Sequence, residues 1–195
     1  MSSLIPLAKL SFWGDNQPMA TLPTTESLWT VEEYLATGWS PDREFVDGRI
    51  EERNLGEKEH SIIQRYLTFL FMLKREEWQA EAFPELRTQT QTTHFRVPDV
   101  LVVRSGEDFK RYITRPPLIA IEILSPEDTL KAMQAKAAEY QRFGVENIWV
   151  INPETRIAYR YNGTALEEIQ TGELTVTGTL IRVVLSEMFA ELDRG

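Results

Sequence analysis

The chain has 195 residues, 42% of them hydrophobic and 10% aromatic, and its 30 acidic and 21 basic residues give a formal net charge of -9. The apolar content argues for one packed core and against a disordered chain, and the acidic charge argues against a protein that coats nucleic acid through bulk charge. The sequence has no cysteine, which excludes disulfides, thiolate zinc sites and a cysteine nucleophile.

The sequence predicts neither a membrane-spanning helix nor a signal peptide. Apolar runs stay below the roughly 20 residues that a membrane helix needs, and Met1–Trp13 lacks the pattern of a signal peptide. We therefore expect a cytoplasmic protein with no membrane partner. Residues 1–25 mix small, polar and proline residues and are expected to form a poorly ordered lead-in, followed by a single domain at residues 26–195.

The first elements are set by local signals. Thr30-Val31-Glu32-Glu33 has the pattern of a capping box and predicts a short helix through Ala36. Asp47-Gly48 inside Phe45–Ile50 predicts a hairpin with a type I′ turn. Apolar residues at helical spacing then predict one long core helix over Glu59–Gln79.

The middle of the chain predicts strands around a crossover helix. Glu85–Thr93 and Phe95–Val103 resemble paired strands, and Leu118–Leu124 resembles a buried strand. Ser125, followed by proline and two acids, predicts a helix N-cap, and that helix is expected to run to about Phe143.

The last third predicts another strand at Glu146–Ile151, then hairpins over Arg156–Val184 and a short final helix near Ser186–Leu192. The expected fold is α/β (α+β): a mixed β-sheet core flanked by helices, with additional hairpins. The apolar hairpin residues at Ile157–Tyr161 suggest a surface for a homodimer.

Two acids at strand ends are the candidate chemistry. Glu122 interrupts a run of apolar strand residues, and a buried carboxylate is costly unless a partner or a metal compensates it. Asp99 follows Pro98 and precedes a second apolar run. Each has an ordinary structural interpretation: Asp99 as a turn aspartate, and Glu122 as a strand residue on a polar face or paired with arginine.

One lysine of the following helix faces these acids. At about 100° per residue, Lys136 borders the apolar stripe that contains Tyr140, whereas Lys131 lies on the opposite side and should face water. Lys136 can therefore extend toward Glu122, or instead be a lysine whose stem covers the edge of the core.

These residues together resemble the Uma-two-type endonucleases, a branch of the PD-(D/E)XK restriction-endonuclease-like superfamily. The resemblance covers about Thr30 to Asn152. The segments that carry it are Glu44-Phe45-Val46-Asp47-Gly48, His60, Pro98-Asp99, Glu122-Ile123-Leu124-Ser125-Pro126, Lys136, Tyr140 and Gly144-Val145-Glu146-Asn147-Ile148-Trp149-Val150. The superfamily lysine of the E-x-K element is Leu124 here, and the resemblance implies that Lys136 replaces it from the helix.

The resemblance implies a metal site and its reaction. Asp99, Glu122 and the Ile123 carbonyl would hold Mg²⁺ or Mn²⁺, with Lys136 assisting hydrolysis of a phosphodiester bond. Glu44 and His60 match family positions near the same cleft and would have supporting roles, although His60 is equally explained as a residue that caps the start of its helix.

Arg104, Lys110, Arg111 and Arg115 lie in one segment with Phe109 and Tyr112, so this acidic chain has a locally basic stretch. It could contact DNA phosphates and bases, or be an ordinary solvated loop. The first functional hypothesis is a metal-dependent DNA endonuclease. The alternative is a nuclease-fold binding or scaffold protein without catalysis. An unrelated hydrolase ranks last because no Gly-x-Ser-x-Gly element is present.

Overall fold

The structure is a computed structural model, and it describes residues 28–54 and 56–194. The predicted lead-in at residues 1–25 lies outside the described residues. Within the described ranges, none of the helices combines the length and apolar character needed to cross a membrane. The cytoplasmic location stays a prediction.

The described residues form five α-helices, twelve short strands and one 3-10 turn. In order they are α1 (Val31–Ala36), β1 (Glu44–Val46), β2 (Arg49–Glu51), α2 (Lys58–Leu73), α3 (Arg75–Trp78), β3 (Ala80–Pro84), β4 (Thr88–Gln91), β5 (His94–Arg96), β6 (Val100–Arg104), β7 (Ile119–Ile123), α4 (Leu130–Phe143), β8 (Asn147–Asn152), β9 (Ile157–Tyr161), β10 (Leu166–Glu168), β11 (Glu173–Thr175), β12 (Arg182–Val184), α5 (Leu185–Ala190) and a final 3-10 turn (Glu191–Asp193).

A six-stranded mixed sheet forms the centre, in the order β10-β9-β8-β7-β6-β3. Strands β7 and β8 are parallel and are connected by α4, and the other neighbours are antiparallel. A parallel pair needs such a crossover because a tight turn cannot join its ends. This arrangement confirms the expected mixed sheet flanked by helices, with hairpins added at its edge.

The two faces of β7 bury different surroundings because alternate side chains of a strand point to opposite sides. Ile119, Ile121 and Ile123 pack in the core cluster that contains α2 residues. Ala120 packs against α4, and Glu122 lies on the same side. The strand thus delivers one ionisable group to the α4 face.

A second, four-stranded sheet has the order β2-β1-β5-β4. Its β1–β2 hairpin turns at Asp47 and Gly48, whose φ angles of 48° and 85° match the predicted turn. Tyr34 of α1 stacks on Phe45 and packs against Phe95 on one face. The capping box at Thr30 is formed as predicted.

The predicted strand at Phe95–Val103 is two strands in two sheets. β5 belongs to the small sheet and β6 to the large one, with Val97, Pro98 and Asp99 between them. Pro98 has no N–H to donate, and the Val97 N–H donates to Glu44 Oε1 at 3.0 Å. The break places Asp99 directly before β6. Strand β3, which pairs with β6, was not predicted.

The predicted helix over Glu59–Gln79 is also divided. α2 ends before Lys74, and α3 follows. Beyond the interruption, the Trp78 ring of α3 lies 5.0 Å from the Phe71 ring of α2, measured between ring centroids. The buried Trp78 thus packs back against α2, although the two helices are not continuous.

Helix α4 begins later than predicted. Its N-cap is Thr129, whose hydroxyl accepts from the Ala132 N–H at 3.2 Å, and its C-cap is Gly144. Ser125 is not the cap, because the residues after it form a separate turn, in which the Asp128 N–H donates to the Ser125 carbonyl at 3.0 Å, and the helix begins only at Leu130. The helix end near Phe143 was predicted correctly.

The C-terminal hairpin does not expose the apolar residues that the sequence suggested. Strand β9 lies between β8 and β10, and its Ala158 and Tyr161 are buried. The suggestion that Ile157–Tyr161 forms an exposed apolar surface is therefore wrong. Large apolar side chains are exposed instead on α2, at Phe69, Met72 and Leu73.

Candidate functional site

Asp99 and Glu122 face each other at one end of the central sheet. Val100 pairs with Ile121, so the preceding Asp99 falls opposite the following Glu122, and such opposed side chains approach within about 5 Å at Cβ. Both residues are buried, at 6% and 5% exposure. The predicted acid pair is therefore brought together.

Asp99 is held by three donors. Its Oδ2 accepts from the Ile123 N–H at 2.7 Å and lies 3.2 Å from His60 Nε2, and its Oδ1 accepts from Arg53 Nη2 at 2.6 Å. Gln64 Nε2 also donates to the Asp99 carbonyl at 2.9 Å. These contacts fix both the side chain and the backbone at the start of β6.

Glu122 is held from α4. Its Oε1 accepts from the Tyr140 hydroxyl at 2.6 Å and its Oε2 from Lys136 Nζ at 3.0 Å. Lys136 and Tyr140 are four residues apart and therefore project from the same face of the helix. The helical arithmetic for Lys136 is confirmed, and Lys131 is exposed as expected.

Glu44 completes the surroundings of Lys136. Its Oε1 lies 2.7 Å from Lys136 Nζ and its Oε2 lies 2.8 Å from Arg96 Nη1. Arg96 also contacts Glu51 at 2.9 Å and Glu139 at 2.7 Å. Strand β1 thus holds the ammonium through a carboxylate that is itself fixed by a guanidinium.

Burial and charge set different protonation equilibria for the three acids. Burial raises the pKa of Glu122 to about 7, and the negative charges of Asp99 and Glu44 add to this against the attraction of Lys136. Burial alone would raise the pKa of Asp99, but His60 and Arg53 outweigh it and hold that pKa below its usual value. Lys136 and Arg96 do the same for the pKa of Glu44.

Lys136 stays protonated in this setting. Burial disfavours its charge, but Glu122, Glu44 and Asp99 together raise the pKa of the ammonium above its usual value. The ammonium is stabilised by three carboxylates, whereas at Glu122 burial and the two neighbouring acids outweigh the single ammonium.

His60 is positioned by close packing with Gly56. A Cβ atom at Gly56 would lie 2.5 Å from His60 Nδ1, so a side chain there would displace the ring. The same Nδ1 is buried and has no hydrogen-bond partner among the residues that the structure describes. His60 therefore contacts Asp99 through Nε2, and its supporting role in the site stays a prediction.

The basic segment at Arg104–Arg115 lies away from the acid pair. Arg104 ends β6, at the opposite end of that strand from Asp99. Tyr112 packs on Phe95, on the α1 side of the small sheet, and Arg111 donates to the Leu35 carbonyl. Arg96, the next residue of β5, points to the other face, toward Glu44. The structure thus separates Arg104, Lys110, Arg111 and Arg115 from the acid pair, and their contact with nucleic acid stays a prediction.

A cleft of about 530 Å³ opens over the acid pair. Its acidic side chains outnumber its basic ones: the acids are Glu44, Glu51, Glu52, Asp99, Glu122, Asp128 and Glu139, and the bases are Arg53, Arg96, Lys136 and Arg142. The excess negative charge favours a bound cation.

The donor atoms fit a hard divalent cation. A carboxylate offers about four lone-pair positions; among the described donors, three point at Asp99 and two at Glu122, so both keep oxygen capacity. In the described ranges no three His, Asp or Glu side chains form a ready metal cluster. A cation here would therefore rely on the two carboxylates, backbone oxygen and water, as Mg²⁺ commonly does. The predicted use of the Ile123 carbonyl stays a prediction.

Arg53 and Arg96 were missed from the sequence. Arg96 stands between Phe95 and Val97, an alternation that is typical of a strand with one polar face, so the sequence did not mark it as a residue of the site. Arg53 lies in the polar stretch Glu51-Glu52-Arg53-Asn54, where nothing marks one residue over its neighbours. Only the fold brings it to Asp99.

Comparison with known proteins identifies the family and the fold of the chain. The family model Uma2, described as "Putative restriction endonuclease", matches residues 31–186. A search of curated proteins finds no match. Among solved structures, the chain is similar to a protein of Anabaena variabilis ATCC 29413 described as "a putative nuclease belonging to DUF820", with 22% identity, a TM-score of 0.69, and coverage of 83% of this chain and 97% of that one.

A second similar structure is the DrdV-DNA complex, at 15% identity and a TM-score of 0.38, covering 65% of this chain and 11% of that one. The first likeness shows the fold, and the family match spans most of the sequence. On these grounds the chain belongs to the Uma2 family of restriction-endonuclease-like proteins.

Proposed function

We propose that this protein is a metal-dependent DNA endonuclease that hydrolyses phosphodiester bonds at Asp99, Glu122 and Lys136. The observation that carries the proposal is the position of the Lys136 ammonium, 3.0 Å from Glu122 Oε2 and beside the opposed Asp99. Two buried carboxylates with an adjacent ammonium are suited to phosphoester hydrolysis. The family match supports the same reaction class.

The roles follow from the contacts. Asp99 and Glu122 would hold Mg²⁺ or Mn²⁺, which would lower the pKa of a bound water and offset phosphate charge. Lys136 would orient the attacking water or stabilise negative charge on the phosphate. Glu44 positions Lys136 at 2.7 Å, and His60 positions Asp99 at 3.2 Å.

DNA cleavage tests this proposal. Purified protein is incubated with single-stranded, duplex and branched DNA, with Mg²⁺, Mn²⁺ or EDTA, beside an Asp99→Ala control. Cation-dependent cleavage that the control lacks supports the proposal. If wild type and Asp99→Ala give the same products at the same rate, the assignment of this site is wrong.

Two further parts of the proposal concern surfaces. Arg104, Lys110, Arg111 and Arg115 would contact DNA outside the cleft, which predicts weaker binding and a shallower salt dependence when they are replaced by glutamine.

A homodimer would use the exposed apolar side chains Phe69, Met72 and Leu73 of α2. Sedimentation velocity of the wild type and of Phe69→Lys tests the dimer.

The alternative is a binding or scaffold protein without catalysis. One observation favours it: Arg53, His60, Lys136 and Tyr140 all donate to or contact the acid pair, so protein groups alone compensate the buried charges. This alternative predicts no cation binding by calorimetry. It also predicts that Glu122→Ala leaves partner binding unchanged.

A further inference from the structure

Arg53 is the guanidinium of the cleft that contacts Asp99 directly. Its Nη2 lies 2.6 Å from Asp99 Oδ1, and its Nη1 lies 3.1 Å from Glu85 Oε1. It is carried by the connection between β2 and α2, and its side chain lines the cleft with 13% exposure. Arg53 therefore lies beside the Asp99 carboxylate, where it also lines the cleft.

Asp99 has other donors besides Arg53. Asp99 Oδ2 is fixed by the Ile123 N–H and His60, and the Asp99 carbonyl by Gln64. The second partner of Arg53, Glu85, has a half-exposed side chain, and such pairs hold weakly. Arg53 can thus leave Asp99 while Asp99 remains in place.

The other buried cations of the cleft are more firmly held. Arg96 contacts Glu44, Glu51 and Glu139, and Lys136 is shared by Glu44 and Glu122. Releasing either would remove a charged partner from two buried acids at once, which is costly. Arg53 is consequently the guanidinium of this cleft that can change its anion, and its fork of donors matches phosphate oxygens.

We propose that Arg53 is a phosphate-binding residue that exchanges anions: it leaves Asp99 Oδ1 when the carboxylate pair binds a divalent cation, and it then binds a phosphate oxygen of the nucleic-acid strand in the cleft. This inference rests on the proposed function. Its physical cause is that the Arg53 charge and a divalent cation repel each other when both bind one carboxylate. A phosphate supplies a replacement anion for the released guanidinium.

The exchange links the two ligands. Arg53 competes with the cation for Asp99, so its removal should strengthen cation binding. Arg53 also adds a contact that only the cation-loaded cleft offers to phosphate, so its removal should weaken the dependence of strand binding on the cation. Such coupling is reciprocal between the two ligands.

The test compares wild type with Arg53→Gln. Arg142→Gln is the matched control. Arg142 is exposed and lines the same cleft, and its substitution removes the same charge. Binding of Mn²⁺ alone is measured by electron paramagnetic resonance. Binding of a short labelled single-stranded oligonucleotide is measured by fluorescence anisotropy, with and without Ca²⁺. Circular dichroism and thermal unfolding establish that each variant is folded.

We expect Arg53→Gln to bind Mn²⁺ about tenfold more tightly and the gain in oligonucleotide affinity from Ca²⁺ to fall about tenfold, as expected for loss of one charge-assisted contact. Arg142→Gln should change each by less than about threefold. Equal effects in the two variants, or none in Arg53→Gln, overturn the inference while leaving the proposed function intact. If wild type and variants all fail to bind Mn²⁺, both are overturned.

Arg53→Lys serves if the glutamine variant does not fold. It keeps the charge but replaces the planar fork by a single ammonium. The expected result is Mn²⁺ affinity near that of wild type and a reduced gain from Ca²⁺. An unchanged gain from Ca²⁺ overturns the inference.

Discussion

Lys136 lies between carboxylates from two different sheets, with Nζ 2.7 Å from Glu44 Oε1 and 3.0 Å from Glu122 Oε2. Leu124, the position of the superfamily lysine, follows the end of β7 and is buried at 7% exposure. The helix therefore supplies the ammonium that the strand lacks. Through this one group, α4 and the two sheets meet at the acid pair.

Replacing Lys136 by methionine should abolish function and reduce stability. Glu44 and Glu122 would then be buried without their shared cation, which costs about 3 to 5 kcal/mol in the free energy of unfolding. DNA cleavage should fall at least about 100-fold, because removal of one charge-stabilising group commonly has that effect. Urea unfolding and cleavage rates measure the two effects.

Lys131→Met is the matched control on the same helix, because Lys131 is exposed. Its unfolding free energy should stay within about 0.5 kcal/mol of the wild type. Equal losses of stability and cleavage in the two variants would show that Lys136 has no special role.

Acid should remove the stabilisation that Glu139 provides. Burial alone would raise its pKa, but Arg96, Thr90 and His94 lower the pKa of this buried carboxyl to about 2. Because the folded pKa lies below the unfolded one, the stabilisation is complete above about pH 4.5 and is lost as the pH falls toward 2. Glu139→Gln should be about 2 kcal/mol less stable than wild type at pH 6, with the difference shrinking toward pH 3. Unfolding curves that stay equally separated across this range would contradict the prediction.

Tyr140→Phe should affect Glu122 without removing a charge. The Tyr140 hydroxyl donates to Glu122 Oε1 at 2.6 Å, and both groups are buried. Loss of this donor should cost about 1 to 3 kcal/mol in the free energy of unfolding. Tyr161→Phe is the comparison, because the Tyr161 hydroxyl bonds only a part-buried carbonyl at 3.2 Å. A larger loss for Tyr161→Phe than for Tyr140→Phe would contradict the geometry.

Gly56→Ala should displace His60. The new methyl group would lie 2.5 Å from His60 Nδ1, so the ring must move away from Asp99. The expected loss is about 1 to 3 kcal/mol in unfolding free energy, as for an overpacked site, together with reduced cleavage. Gly38→Ala is the control, because the space around its Cβ position is open to 4 Å. If both variants behave like wild type, His60 tolerates displacement and is not needed at the site.

Local and periodic signals predicted much of this architecture. The Thr30 capping box, the Asp47-Gly48 turn and the end of α4 at Gly144 depend on residues close in sequence, and all three are formed. The placement of Lys136 followed from helical geometry alone. Such features need no knowledge of distant contacts.

The incorrect predictions concern segments that contact residues distant in the sequence. The chain breaks at Pro98 because Glu44, 53 positions earlier, accepts the Val97 N–H. In the segment before α4, Asp128 accepts a hydrogen bond from the Asn54 side chain, 74 positions earlier in the sequence. Arg53 reaches Asp99 across 46 positions. Hydropathy and spacing carry no information about these pairings.

Binding of Mn²⁺ by wild type, Asp99→Asn and Glu122→Gln tests the central claim most directly, because it measures the cation site without requiring the correct DNA substrate. Both substitutions keep the size of the side chain and remove one negative charge. Electron paramagnetic resonance should show one Mn²⁺ bound per wild-type chain, and affinity in each variant should fall at least about tenfold. Absence of Mn²⁺ binding by folded wild-type protein, or equal affinity in all three proteins, would contradict a metal site at Asp99 and Glu122.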